Sequence, residues 1–138
     1  MNIDSIQNGI VIDHITAGRG MRIYELLRLD ELDASVAIIK NAVSRKSGKK
    51  DIIKIDSEIA INFDVLGFVD PGVTVNIIKN GELVEKKRIE MPETLKNVIR
   101  CKNPRCITTT ERAIDHLFKL TDRKNKVYRC VYCETQAQ

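Results

Sequence analysis

Four cysteines lie in the last third of the chain as Cys101-x4-Cys106 and Cys130-x2-Cys133, and there are none elsewhere in its 138 residues. Two close pairs separated by 23 residues have the spacing of a four-cysteine tetrahedral zinc site. Each pair needs a tight turn that aims two sulfurs inward, and the intervening segment must bring the turns together. A stretch this short cannot bury a self-sufficient core. Metal binding then supplies folding free energy, with apparent values of roughly 10–16 kcal/mol for structural zinc in peptide hosts. Two disulfides or four unrelated thiols are the competing readings. One structural Zn²⁺ per chain, held by Cys101, Cys106, Cys130 and Cys133, is the expectation.

Charge is divided unevenly. Residues 1–94 carry 13 Lys/Arg against 15 Asp/Glu, a balance of −2, whereas residues 95–138 carry 10 against 4, a balance of +6. Four thiolates with one Zn²⁺ lower the second value to +4. A basic metal module calls for an anionic partner, either nucleic acid or an acidic protein surface. The start, Met1-Asn2-Ile3-Asp4-Ser5, is polar and has no basic region, and no apolar run approaches the ~20 residues that cross a bilayer. Cysteines held as thiolates suit a reducing compartment. A cytoplasmic protein without membrane contact is therefore expected.

Hydrophobic periodicity predicts strands over Gly9–Ile15, Val36–Val43, around Ile52–Ile55, over Val73–Ile78 and over Leu83–Ile89. Helical spacing appears at Met21–Leu29 and more weakly at Ile59–Phe68, the latter stopped by Asp70-Pro71-Gly72. Lys79-Asn80-Gly81 marks a hairpin. The order β-α-β-β-α-β with a hairpin extension predicts an α+β fold, a ferredoxin-like antiparallel sheet with two helices on one face. A small β-rich, zinc-ribbon-like domain follows. The expected division is residues 1–92 and 93–138, with a linker near residues 90–96.

Enzyme signatures are absent. Gly18-Arg19-Gly20 has Ile23 where a dinucleotide turn needs its third glycine, and Ser47-Gly48-Lys49-Lys50 lacks the earlier glycine of a P-loop. Two histidines and no nucleophile–base pair give no catalytic constellation. A site with four cysteine ligands is closed to substrate. A non-catalytic chain is expected.

Val11-Ile12-Asp13-His14-Ile15, Lys50-Asp51-Ile52-Ile53-Lys54-Ile55, Thr74-Val75-Asn76 and the cysteine set occur in this order. Over essentially its whole length the chain resembles the regulatory chain of aspartate carbamoyltransferase. The resemblance implies an allosteric subunit whose N-terminal domain binds CTP as inhibitor and ATP as competing activator. It implies a zinc domain that docks on the catalytic chain of pyrimidine biosynthesis, and pairing of regulatory chains with each other through their N-terminal domains. It also implies nucleotide contacts at Asp4, Ile6, Val11, Asp13, His14, Lys54, Asn76, Ile78 and Lys86, with Lys50 a weaker member. Asp13 and Lys54 fall on the ribose side, His14 and Lys86 on the phosphate side. By their residue types alone, Asp13 and His14 are also ordinary strand-end polar groups, and Lys86-Lys87-Arg88 an ordinary charged edge.

Hairpin register decides whether Asn76 and Lys86 share a face. A three-residue loop with Gly81 left-handed pairs Thr74 with Lys86 and Asn76 with Val84, and this register is expected. A two-residue Asn80-Gly81 turn would pair Val75 with Lys86 and leave Asn76 on the opposite face, and such a turn would count against the pocket. Gly81 stands where better-known relatives carry tyrosine. His116 is surplus to a complete cysteine tetrad and is expected to be a surface or packing residue. Arg105, Asn103, Arg112 and Lys119 are candidate contacts to the catalytic chain. A nucleic-acid-binding zinc-ribbon protein is the rival reading. Its weakness is the few aromatics available for base stacking.

Overall fold

The computed structural model describes residues 6–45 and 48–137. Asp4, one of the expected nucleotide contacts, lies outside them. The chain divides into two compact units, Met1–Glu90 and Met91–Gln138.

In the first unit, β1 (Gly9–Thr16), α1 (Gly20–Leu26) and a 3-10 turn (Leu29–Glu31) lead into β2 (Ser35–Ser44) and β3 (Gly48–Asp56). Next come α2 (Phe63–Val69), β4 (Thr74–Lys79) and β5 (Glu82–Arg88). Strand order is β2-β3-β1-β4-β5, with every neighbouring pair antiparallel. This is the ferredoxin-like order with β5 added as an edge. Period-2 alternation gives the sheet two unlike faces. Ile10, Ile12, Ile53, Ile55 and Val75 are buried with Ile23 of α1 and Val65, Leu66 and Val69 of α2. Helix α2 starts where the Asn62 side chain accepts the Asp64 amide, satisfying one donor that the first helical turn leaves free.

Two irregularities set what the opposite face presents. In β1, Ile12 pairs with Ile53 and Ile15 with Asp51, so Asp13 and His14 together oppose Ile52. His14 takes φ +59° in this bulge. Both polar residues are thereby only half-buried, while Ile15 returns to the core. In the β4–β5 hairpin the expected three-residue loop does not form. Lys79 pairs with Glu82 across Asn80-Gly81, a two-residue turn with φ +54° and +78°, as an Asn-Gly hairpin turn requires. Yet Ile78 pairs with Leu83 and Ile77 with Glu85, which leaves Val84 as an extra, bulged residue. That extra residue shifts the register by one more, so Asn76 pairs with Lys86 and Thr74 with Arg88, two residues from the expected pairing but on the same face. The turn length was misjudged because a bulge has no signature in an alternation that continues on both sides of it.

The second unit has β6 (Thr94–Lys96), α3 (Ile107–Thr110), β7 (Leu117–Asp122) and β8 (Val127–Cys130), with sheet order β6-β7-β8. The segment expected as a linker thus contains strand β6. Leu95, Phe118 and Cys130 form one row across the three strands. All three are buried, as is Tyr128, whose hydroxyl donates to the Pro92 carbonyl. This core is small, as the sequence implied. Among the described residues no helix is long and apolar enough to cross a membrane.

Candidate functional site

The four cysteines are free thiols in the second unit, and their sulfurs all lie within 4.8 Å of one another. Cys101 Sγ is 3.5 Å from Cys133 Sγ, and Cys106 Sγ is 3.7 Å from Cys130 Sγ. A disulfide needs about 2.05 Å. A tetrahedron of sulfurs around an ion at about 2.3 Å has edges of about 3.8 Å, which these separations fit.

Two turns build the cluster. In the first, Asn103 Oδ1 accepts the Arg105 amide and the Asn103 carbonyl accepts the Cys106 amide. In the second, the Glu134 amide donates to the Cys130 carbonyl and the Cys130 amide to the Thr135 carbonyl. Burial pushes the Cys101 thiol up to about 12 and raises that of Cys130. The Thr135 hydroxyl beside Cys133 holds that thiol down at about 6. Four adjacent thiolates repel one another and resist burial, and a bound dication removes both penalties. His116 is no fifth ligand in this arrangement, since its Nδ1 accepts the Cys101 backbone amide at 3.2 Å. Asn103 is engaged in its own turn, and Arg105, Arg112 and Lys119 are exposed.

In the first unit the candidate residues gather on the face that the helices leave open. Lys54 pairs with Val11, Val11 with Asn76, and Asn76 with Lys86. Directly opposed residues in an antiparallel sheet point to the same side, so these four form one row across β3-β1-β4-β5. Gly9, Ile78 and Leu83 make the next row toward the hairpin, and Asp13, Thr74 and Arg88 the next one away from it. Asn76 Oδ1 is buried and has no hydrogen-bond partner among the described residues. Ile6 is buried and does not present an open surface. The segment after it holds the turn: the Gly81 amide donates to the Gln7 carbonyl and the Asn80 amide to Asn8 Oδ1. A side chain at Gly81 would begin 3.1 Å from Gln7 Oε1, so Gln7 occupies the space an aromatic residue would enter.

At the far end of the rows is a cleft of about 760 Å³, whose lining includes His14, Lys49, Lys50, Lys86 and Arg88. Among the described residues no Asp or Glu lines it. Asp13 stands at its edge, 2.9 Å from Lys50 Nζ and accepting the His14 amide. Burial alone would raise the Asp13 carboxyl, but Lys50 and the His14 amide outweigh it and hold it below the ordinary value. His14 Nδ1 is 3.0 Å from Thr74 Oγ1. Lys50, the weaker candidate, lines the cleft together with Thr74, which the sequence reading set on the same face as Asn76, and with Arg88, which it did not single out. Arg88 follows Lys86 by two residues, so strand alternation alone could have found it.

The two units define a class of protein: an α+β unit with an open polar sheet face, and a β-rich unit organised round a four-thiol metal cluster. Family models for the aspartate carbamoyltransferase regulatory chain match both parts, its allosteric domain over residues 1–90 and its metal binding domain over residues 93–138. Curated relatives called aspartate carbamoyltransferase regulatory chain agree. That of Clostridium botulinum is 53% identical over 134 residues, covering 97% of this chain and 92% of the relative. Those of Clostridium tetani (50% over 135 residues, 97% and 94%) and Bifidobacterium longum (45% over 138 residues, 100% and 99%) are similar throughout. The chain belongs to the aspartate carbamoyltransferase regulatory chain family, and it is a regulatory chain with an allosteric and a metal-binding domain, without catalytic activity of its own.

Proposed function

We propose that the open face of the first unit binds a nucleoside triphosphate, CTP as inhibitor and ATP as activator, and that the second unit docks on the catalytic chain of aspartate carbamoyltransferase in the cytoplasm. The observation that carries this reading is the row Lys54–Val11–Asn76–Lys86, ending at a cleft whose charged side chains are all cationic among the described residues. Val11 and Ile78 offer apolar surface to a base. Asp13 and Lys54 suit ribose hydroxyls, since a carboxylate accepts and an ammonium donates. Asn76 Oδ1, left without a donor, suits a ribose hydroxyl or exocyclic amine, and an unmade buried hydrogen bond costs about 1–3 kcal/mol. His14, Lys50, Lys86 and Arg88 supply positive charge for the phosphates, where low-dielectric walls strengthen attraction.

The cysteine cluster would hold zinc, whose preference for closed tetrahedral thiolate sites matches the sulfur separations. The metal contributes folding free energy to the second unit and takes no part in effector recognition. Edge strand β2, with Val43 89% exposed, is the surface on which a second copy of the chain would pair. CTP and ATP share the triphosphate and differ in base size. Each can therefore favour a different arrangement of the assembly, with couplings of about 1–3 kcal/mol, or roughly 5–150-fold in affinity.

Calorimetric titration of metal-loaded protein with CTP, ATP and a short DNA duplex tests the reading. Expected is saturable, mutually competitive triphosphate binding that is lost in Lys86→Ala and Lys54→Ala. Duplex binding without triphosphate uptake would overturn it.

A further inference from the structure

Two buried carboxylates stand behind the cleft and touch none of its open surface. Asp51 is 0% exposed and Asp70 4%. On β3, Asp51 shares the core face with Ile53 and Ile55, where a charge is costly unless hydrogen-bonded. Its Oδ2 accepts the amides of Gly18 and Gly20, each at 3.0 Å, and its Oδ1 accepts the Asn41 amide at 3.1 Å. Asn41 has φ +58° and sits in a bulge of β2 opposite Asp51, between the pairs Ile39–Ile52 and Ala42–Lys50. Asp70 Oδ2 accepts the Thr16 amide at 2.7 Å and its Oδ1 the Gly72 amide at 3.2 Å. Arg19 reaches the same group, with Nη1 3.8 Å from Asp70 Oδ1 and 3.1 Å from the Val69 carbonyl. Alternate amides of one loop, at Thr16, Gly18 and Gly20, thus all end on buried carboxylates.

The segments held this way are the walls of the cleft. Thr16 and Ala17 line one side, Pro71, Gly72 and Val73 another, and Lys49 and Lys50 precede Asp51 directly. Asp70 joins the first wall to the second with its two oxygens. Asp51 fixes the same loop to the β2 bulge and sets the backbone from which Lys50 reaches Asp13. Gly20 is part of the device, since a Cβ there would lie 2.9 Å from Asp51 Oδ2.

We propose that Asp51 and Asp70 are positioning residues for the phosphate end of the effector site, holding its walls at the spacing a polyphosphate needs. The inference rests on the triphosphate reading given above and adds residues that never touch the ligand. A carboxylate is required because both its oxygens only accept. An asparagine turns one of them into a donor facing an amide N–H.

The test compares CTP with CMP, which share base and sugar and differ by two phosphates, in calorimetric titrations of wild type, Asp51→Asn and Asp70→Asn at a temperature where all are folded. Each variant is expected to lose about ten-fold or more in CTP affinity, the size of loss that supporting hydrogen bonds behind a site produce. CMP affinity should stay within about two-fold, since its contacts lie along the rows rather than at the walls. A general loss of structure would lower both ligands alike, and that result overturns the proposal, as does an unchanged CTP affinity. Where Asp51→Asn does not fold, Asp70→Asn and Gly20→Ala carry the same expectation from opposite sides of the loop. Wild type that binds neither CTP nor inorganic tripolyphosphate would instead overturn the underlying triphosphate reading.

Discussion

Asn76 and Lys86 face each other across β4 and β5 although the turn joining their strands has only two residues. A regular ladder from that turn would set Lys86 against Val75, toward the helices. The extra residue Val84 shifts the count by one and returns Lys86 to the open face beside Asn76. The position of a candidate phosphate-binding cation therefore depends on a bulge more than two residues' distance from the turn that starts the hairpin.

Deleting Val84 removes the bulge yet leaves Asn76 opposite Lys86, because the pairs on either side of it are already in step. CTP affinity measured by calorimetry is expected to stay within about three-fold of wild type, since facing is preserved. Inserting one alanine between Glu85 and Lys86 instead sends Lys86 to the Val75 face, and the loss should exceed about ten-fold. Equal losses in the two variants would show that facing is not what matters.

The Asp13–Lys50 pair, 2.9 Å apart with side chains 20% and 18% exposed, makes stability depend on pH. Asp13 is burdened by burial but held below its ordinary value by Lys50 and the His14 amide. A carboxyl depressed in the native state stabilises the fold above its unfolded value, about 3.9. That contribution disappears as pH falls through the lower native value. Urea denaturation of wild type and Lys50→Met should differ by about 1 kcal/mol at pH 7, and the gap should close as pH falls below about 3.9 and through the lowered native value. A gap that is constant across this range would rule out the ion pair as its source.

His14 adopts φ +59°, where an L side chain other than Asn or Asp costs roughly 1–2 kcal/mol. His14→Gly should leave the melting temperature unchanged or higher while weakening CTP binding. His14→Val, β-branched, should lower stability by about 1–3 kcal/mol. If glycine destabilises as much as valine, the imidazole contact to Thr74 outweighs the backbone strain.

Chelation is expected to act on one unit only. The core of the second unit rests on Leu95, Phe118 and Tyr128 packed beside Cys130, and structural zinc supplies about 10–16 kcal/mol in comparable modules. Stripping the metal, or Cys101→Ala, should abolish amide-exchange protection at Phe118 and Tyr128 while Ile53 and Val75 keep theirs. Protection retained in both units after metal removal would show that the cluster is not structural.

What the sequence by itself determined is local or nearly so. Cysteine spacing announced a metal-held module because tetrahedral thiolate ligation needs two short turns. Apolar runs at Ile10–Ile12 and around Ile52–Ile55 announced strands, and Asn80-Gly81 the hairpin. The resemblance carried by Asp13-His14, Lys54 and Asn76 announced the family. Tertiary structure decided which of these residues meet. Strand alternation assigns faces only until a bulge resets it, and bulges form where cross-strand packing favours one extra residue, as at Asp13-His14, Asn41 and Val84. The roles of Asp51 and Asp70 were hidden for the same reason. A carboxylate in an apolar run is tolerable only where distant backbone amides converge on it, and that convergence exists only once β1, β2, β3 and the α2–β4 turn have come together.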